Sequence, residues 1–346
     1  VHILPYVRLP GGFKRFELIL TELLQMLQCI ALWIRTRPHS SYFTYANLPI
    51  AALFAGLRWS RVSLRFMGIM PYHRKLANGD GNRMIDRINR RFLRSRFDNV
   101  VCTEDGSDPS LLLPQLLRST VPLTIKINGA DVVAEPDNTN AFRDGELAPD
   151  DQPVILYLGR LERYKGCLEF VDAAVKVLTT SPGCAQFVLV GDGTCRGEVE
   201  ERIAASGHER SFLTVGAVAA NEVSGYLART HIYVSLNMHG NLSNANLEAL
   251  SAGTCLVLPE EDRAQNIDTS TTRLLPPADM PRFDRHDIVA SLSCVLMDLL
   301  ADQARVARNR AASREIARQI LRPWSARVRE EIDLILGTET RPADHS

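Results

Sequence analysis

Two segments of this 346-residue chain carry side chains suited to holding a diphosphate and a pair of neighbouring hydroxyls. In the first, YLGRLERYKG (157–166), Arg160 lies just past the apolar run VILYL (154–158), which has the length and composition of a buried parallel strand. Lys165 follows, at the expected start of an amphipathic helix. Two cations at the carboxyl end of a strand sit where an open α/β sheet binds its ligand, and they match a diphosphate in charge. The second segment, GNLSNANLEALSAG (240–253), is a polar loop feeding a helix, whose free N–H groups and positive dipole end also favour an anion. Glu248, in the first turns of that helix, can accept bonds from two adjacent hydroxyls, as on a ribose. Taken singly, each feature has a plainer reading: surface cations beside a helix, and a glutamate complementing a helix dipole. Together they describe one site.

Region 152–258 resembles the C-terminal domain of the retaining GT-B glycosyltransferases of family 4. The resemblance rests on four motifs in the family's order: Gly159-Arg160…Lys165-Gly166, FVLVGDG (187–193), FLTVGAV (212–218), and the Leu-Glu-Ala helix ending in Ala252-Gly253. Weaker similarity continues through INGAD (127–131) and the strand–helix rhythm before it. The resemblance implies an α/β fold of the GT-B kind, two doubly wound Rossmann-like parallel-sheet domains facing a cleft. It implies a UDP- or GDP-sugar donor, a glycan or lipid-linked acceptor, no cofactor and no metal. Arg160 and Lys165 would offset the charge that develops on the departing diphosphate. Gly216-Ala217-Val218 would hold the base by backbone contacts, and Glu248 the ribose, with Ser243, Asn244, Leu247 and Ala249 also matching.

The chain departs from that pattern in three places. The first carboxylate of the family's paired-glutamate motif should fall at Gly240, which leaves sugar orientation to His239, to Asn241, or to backbone N–H groups from Asn241 through Leu242 and Ser243 to Asn244. Restoring a carboxylate by Gly240→Glu is the direct test that the sequence suggests. Met67 stands where many relatives carry a histidine, and it cannot move a proton. A retaining transfer tolerates this, because the leaving phosphate can accept the acceptor's proton on the same face. Finally, the chain begins at Val1 without the usual opening strand and Gly-rich loop, for which Gly11-Gly12 is the one candidate, so the N-terminal domain is expected to be incomplete. A catalytically silent nucleotide-sugar-binding protein and a sugar-nucleotide epimerase are the alternatives to a transferase in bacterial surface-polysaccharide assembly.

Composition excludes several other classes. Forty basic and forty acidic residues give a formal charge of zero, so no global field draws nucleic acid. Seven cysteines without CxxC spacing argue for reduced thiols and a cytoplasmic setting. The histidines lack HxxxH or HExxH spacing. Gly191-Asp192-Gly193 follows a strand but lacks the third glycine of a dinucleotide fingerprint. The apolar stretch 16–34 carries Glu17, Glu22, Gln25 and Gln28, which suits a helix packed on a sheet and not a span of the bilayer. Peripheral membrane contact through the N-terminal domain is what the resemblance adds. The basic helix MIDRINRRFLRSRF (84–97) is either a solvated face or a site for a phosphate-bearing acceptor such as a lipid diphosphate.

The elements needed to position these residues alternate strand and helix in both halves, which implies parallel sheets with right-handed crossovers. In the first half we expect strands at 2–7, 41–45, 61–67, 98–102 and 122–127, and helices at 14–36, 47–57 and 82–95. In the second we expect strands near 153–158, 185–191, 212–215, 231–235 and 254–258, then a helical tail broken at Pro323. The expected domains are 1–135, a polar linker at 136–152, a nucleotide-sugar domain at 153–320, and a terminal helix at 323–337 that either returns to the first domain or caps its own.

Overall fold

The computed structural model describes residues 14–131, 152–269, 271, 274–275 and 280–338. The expected strand at 2–7, Gly11-Gly12 and nearly all of the expected linker lie outside them. The chain forms two units. One comprises residues up to Thr103, Pro109–Lys126 and the segment from Val328 on; the other comprises Glu104–Asp108 and Ile127–Arg327.

The first unit contains α1 (Lys14–Thr36), β1 (Ser40–Thr44), α2 (Leu48–Leu57), β2 (Arg61–Phe66), α3 (Pro71–Ala77), α4 (Met84–Leu93), β3 (Asn99–Thr103), α5 (Pro109–Leu116) and β4 (Leu123–Lys126). Its four strands pair in parallel in the order β1-β2-β3-β4. Helices α3 and α5 escape a reading by periodicity because each is short and opens on proline, and α5 holds a second, Pro114. A proline at the first helical position is preorganised for the turn, since its missing N–H would find no intrahelical partner there. Arg65, in β2, is buried in this unit and pairs with Glu331 at 3.3 Å.

The second unit contains β5 (Val154–Leu158), α6 (Cys167–Thr180), β6 (Gln186–Val190), α7 (Arg196–Ser206), β7 (Phe212–Gly216), α8 (Val223–Ala228), β8 (Ile232–Val234), α9 (Asn244–Ser251), β9 (Cys255–Pro259), β10 (Arg282–Phe283), α10 (Ile288–Ala301) and α11 (Gln303–Ile320). Helix α12 (Trp324–Leu336) starts here, and its part from Val328 groups with the first unit. The six strands run parallel in the order β10-β9-β8-β5-β6-β7. Successive strand residues point to opposite faces, so one run of apolar side chains supplies two cores. Ile155, Tyr157, Phe187 and Leu189 face one core, while Val154, Leu156, Val188 and Val190 face the other. From β5 the chain proceeds outward through β6 and β7, then returns to add β8 on the other side of β5. That reversal makes the carboxyl ends of β5 and β8 a topological switch point, where such sheets leave a crevice. Among the described residues, no helix is long and apolar enough to cross a membrane.

Candidate functional site

Both sequence-derived segments leave the sheet at this switch point. After β5, Gly159 and Leu161 donate their N–H groups to Val190 O and Asp192 O, each at 3.0 Å, and Leu161 O accepts from Cys195 N–H at 2.8 Å. Arg160 is therefore carried on a backbone pinned on both sides. The Gly191-Asp192-Gly193 turn lies directly against it: a Cβ at Gly191 would stand 1.9 Å from Gly159 O, and one at Gly193 would stand 2.4 Å from Leu161 O. The 191–193 turn is thus a seat for the arginine loop.

Tyr157 closes the loop from beneath. Its buried hydroxyl shares one proton between Arg160 O at 3.0 Å and Lys165 O at 3.2 Å. Both cations also approach the Tyr164 ring, with the Arg160 guanidinium 5.7 Å and the Lys165 ammonium 5.6 Å from its centroid. Among the described residues neither cation forms an ion pair, although hydrogen bonds from Thr194, and then the Arg160 charge, hold the Glu162 carboxyl below its ordinary pKa. Burial, and then repulsion from Arg160, holds the Lys165 ammonium below its ordinary pKa. Lys165 does not open the helix as expected: it ends a single 3-10 turn (Arg163–Lys165), Gly166 adopts φ 75°, and α6 begins at Cys167.

Gly166 joins this segment to the second. A Cβ there would sit 2.7 Å from Leu236 Cβ, just past β8. From Leu236 the chain turns through His239 and Gly240 into α9, where Ser243 is the N-cap and its Oγ accepts from Asn246 N–H at 3.4 Å. The N–H groups of Asn244 and Ala245 find no acceptor among the described residues, as a helix's first turn requires. Asn244 Oδ1 accepts from Asn128 Nδ2 of the INGAD segment at 2.8 Å. Glu248 lies one turn further on, half-buried, with no hydrogen-bond partner among the described residues, and burial raises its pKa.

Three sequence expectations about this loop fail. Asn241 is 1% exposed, and its N–H donates to Asp268 Oδ1 at 2.5 Å, so neither its backbone nor its side chain faces a ligand as proposed. Leu242 is a core side chain, and its N–H donates to Asp105 O at 3.0 Å. Gly240 cannot regain a carboxylate by simple substitution: at φ 156°, a Cβ there would stand 2.0 Å from Asp105 O. Gly216 ends β7 with φ 91° and accepts from Gly191 N–H at 2.8 Å, which places it beside the arginine loop. Val218, two residues on, packs partly against the second core. Met67, in the first unit, is exposed.

Sequence reasoning missed the strap that occupies this loop. Residues Glu104–Asp108, following β3, belong to the second unit. Gly106 lies face to face with Gly240, and a Cβ on Gly106 would meet Asp268 Oδ1 at 2.0 Å, Asn241 N at 2.6 Å and Gly240 Cα at 2.9 Å. Asp268 N–H donates to Gly106 O at 2.6 Å, and Thr269 Oγ1 donates to Asp108 Oδ2. Burial drives the Asp268 carboxyl up to about 7 despite the opposing Asn241 N–H and Arg285. Burial also drives Glu104 up to about 7, with Asp108 and Asp105 adding to the rise and Gly106 N–H opposing it. The visible signal was TEDGSD (103–108), an acidic turn at a strand's carboxyl end.

Residues 152–289 match the family described as Glycosyl transferases group 1. Over 128 residues the chain is 30% identical to 2-deoxystreptamine N-acetyl-D-glucosaminyltransferase of Niallia circulans, an alignment covering 36% of this chain and 33% of that protein. The chain thus spans about a third of the length of that curated relative. Among solved structures, sucrose-phosphate synthase from Thermosynechococcus elongatus aligns over 97% of this chain and 82% of its own, with TM-score 0.71 and 16% identity. Anabaena HepE, solved in complex with UDP and glucose, aligns over 95% of this chain and 84% of its own, with TM-score 0.64 and 13% identity. The fold is therefore GT-B, with two Rossmann-like units of parallel sheet.

Proposed function

We propose that the chain is a retaining glycosyltransferase that moves a sugar from a UDP- or GDP-sugar to a glycan or lipid-linked acceptor. The observation that carries this reading is the meeting, at one switch point, of two cations and open N–H donors that form no ion pair or hydrogen bond among the described residues. Arg160 and Lys165 are held by Tyr157 and joined through Gly166–Leu236 to the turn that leads to the free N–H groups of α9. A diphosphate supplies the negative charge that this arrangement lacks, and its charge grows as the sugar–phosphate bond breaks. Cations fixed in place then stabilise the departing group more than the bound donor. Glu248, half-buried and without a hydrogen-bond partner among the described residues, is suited to two ribose hydroxyls. Gly216 and Val218 offer backbone groups to the base. That HepE was solved with UDP and glucose supports this choice of donor.

In this mechanism the acceptor hydroxyl attacks the face that the diphosphate leaves, and its proton passes to a leaving phosphate oxygen. The reaction as proposed draws on no metal and no cofactor. We extend the proposal to surface-polysaccharide assembly at the cytoplasmic side of a membrane, with peripheral contact through the first unit. Titrating UDP and GDP calorimetrically against the wild type and Arg160→Ala tests the donor site. Binding of at least one nucleotide, weakened roughly tenfold or more by the substitution, is expected. Equal binding by both proteins, or none by either, removes the reading. The closed space at Gly240 favours a second reading, a catalytically silent nucleotide-sugar binder. Slow hydrolysis of the donor to free sugar marks the enzyme, and intact donor after long incubation marks the binder.

A further inference from the structure

At the amino-terminal ends of the strands in the first unit lies a cavity of about 370 Å³ whose lining includes Arg37, Arg58, Arg61 and Arg96 together with His39 and Trp59. Each arginine comes from a different place in the chain. Arg37 follows α1, Arg58 caps α2, Arg61 opens β2, and Arg96 follows α4. Among the described residues none of the four guanidiniums forms an ion pair or donates a hydrogen bond. The carboxylate in the lining, Asp98, has Oδ2 engaged by Val62 N–H at 2.8 Å.

Ordinary helix electrostatics explains part of this arrangement. Arg37 and Arg58 stand at helix carboxyl ends, where a positive charge complements the dipole. It does not explain why four guanidiniums, with five donors each, line one cavity with no carbonyl or carboxylate among the described residues taking any of them. Two of them also occupy left-handed backbone positions, Arg37 at φ 41° and Arg58 at φ 53°, where glycine or asparagine is the usual choice. The Nε of Arg61 is buried and unpartnered, wedged where Gly337 approaches so closely that a Cβ there would stand 3.0 Å from the guanidinium carbon. A buried donor left unmade is costly, and like charges gathered in one cavity repel.

We propose that this arginine pocket binds a phosphate-bearing ligand, in a site separate from the donor site of the second unit. A phosphate or diphosphate presents several strong acceptors on a compact dianion, matches the planar fork of arginine bidentately, and removes the repulsion. The pocket's size fits a small phosphorylated molecule or the headgroup of a phospholipid.

The experiment uses the full chain carrying Arg160→Ala and Lys165→Ala, so that the donor site does not compete. Pyrophosphate is titrated calorimetrically, and cosedimentation is measured with vesicles of phosphatidylcholine alone or mixed with phosphatidic acid. The same measurements are made after adding Arg58→Gln and Arg96→Gln, both at exposed side chains, and separately after adding Arg96→Glu alone. Pyrophosphate binding weakened at least about tenfold by these changes supports the site and a soluble ligand. Sedimentation with phosphatidic acid vesicles only, lost in the variants, supports it with a lipid headgroup as the source. No binding to either probe, or binding unchanged in variants whose melting temperature matches the parent, overturns the proposal.

Discussion

A methyl group at Gly106 tests whether the strap orders the loop that leads into α9. The backbone there has φ 94°, and an alanine in the left-handed region costs about 1–2 kcal/mol. The added Cβ would also meet Asp268 Oδ1 at 2.0 Å and Asn241 N at 2.6 Å, neither of which lies at the end of a long flexible side chain. Overpacking of that kind costs about 1–3 kcal/mol, so Gly106→Ala should destabilise the second unit by roughly 2–5 kcal/mol. Gly207 provides the control within the same unit. Its φ is 72°, and a Cβ there meets nothing within 4 Å, so Gly207→Ala should cost about 1–2 kcal/mol from backbone strain alone. Native-state hydrogen exchange, read on peptides spanning 232–258, reports the local opening free energy for both variants. Faster exchange at Asn241 and Leu242 in Gly106→Ala than in Gly207→Ala is expected, because their N–H groups are bonded to Asp268 and the strap. Equal exchange in the two variants would refute the strap contact as a source of order in the loop.

Tyr157→Phe removes the hydroxyl that holds Arg160 O and Lys165 O, and UDP binding should weaken roughly two- to tenfold by calorimetry with little loss of fold. Unchanged affinity would mean that the loop holds its shape without it. Glu331→Ala leaves the Arg65 guanidinium buried without its carboxylate, and urea denaturation of the first unit should report a loss of about 3–5 kcal/mol. The two units should respond oppositely to pH. Asp268 is raised from 3.8 to about 7, so the folded state keeps a proton that the unfolded chain releases, and the second unit loses stability as pH rises through that window. Asp268→Asn should flatten this slope. His73 is lowered from 6.5 to about 4 by burial, so the unfolded chain takes up a proton that the folded state refuses, and the first unit loses stability as pH falls through that range. His73→Gln should remove that loss; hydrogen exchange resolved by unit checks both.

What could be read from the chain alone follows from how local each signal is. The run VILYL announces β5, and its alternation into two cores needs only the period of a strand. Arg160, Lys165 and Glu248 stand in short segments that carry their own context, so their placement at a switch point was legible. Short helices opening on proline were not, because α3 and α5 offer too few turns for a period to show. Asn241 and Leu242 were misread for a different reason. The polar residues around them and their place before a helix suggest a ligand-facing loop, but Asp105 and Asp268, distant in sequence, take up their N–H groups. Such pairing belongs to the tertiary fold and leaves no trace in spacing. The arginine pocket was hidden likewise, since its four guanidiniums come from the ends of different elements.

The facing glycines of the strap and of the loop before α9 bear on how this sequence can change over time. With Asp105 O 2.0 Å from where a Cβ on Gly240 would begin, no single substitution can return a side chain to position 240 while the strap stays seated. Residue 106 is bound by the same constraint from the other side, since its own Cβ would meet Asp268, Asn241 and Gly240. Each glycine therefore entrenches the other. A carboxylate becomes admissible at 240 only after the 104–108 turn has been shortened or moved, so a library that varies position 240 alone should return glycine, and acidic residues should emerge only in libraries that vary both segments together.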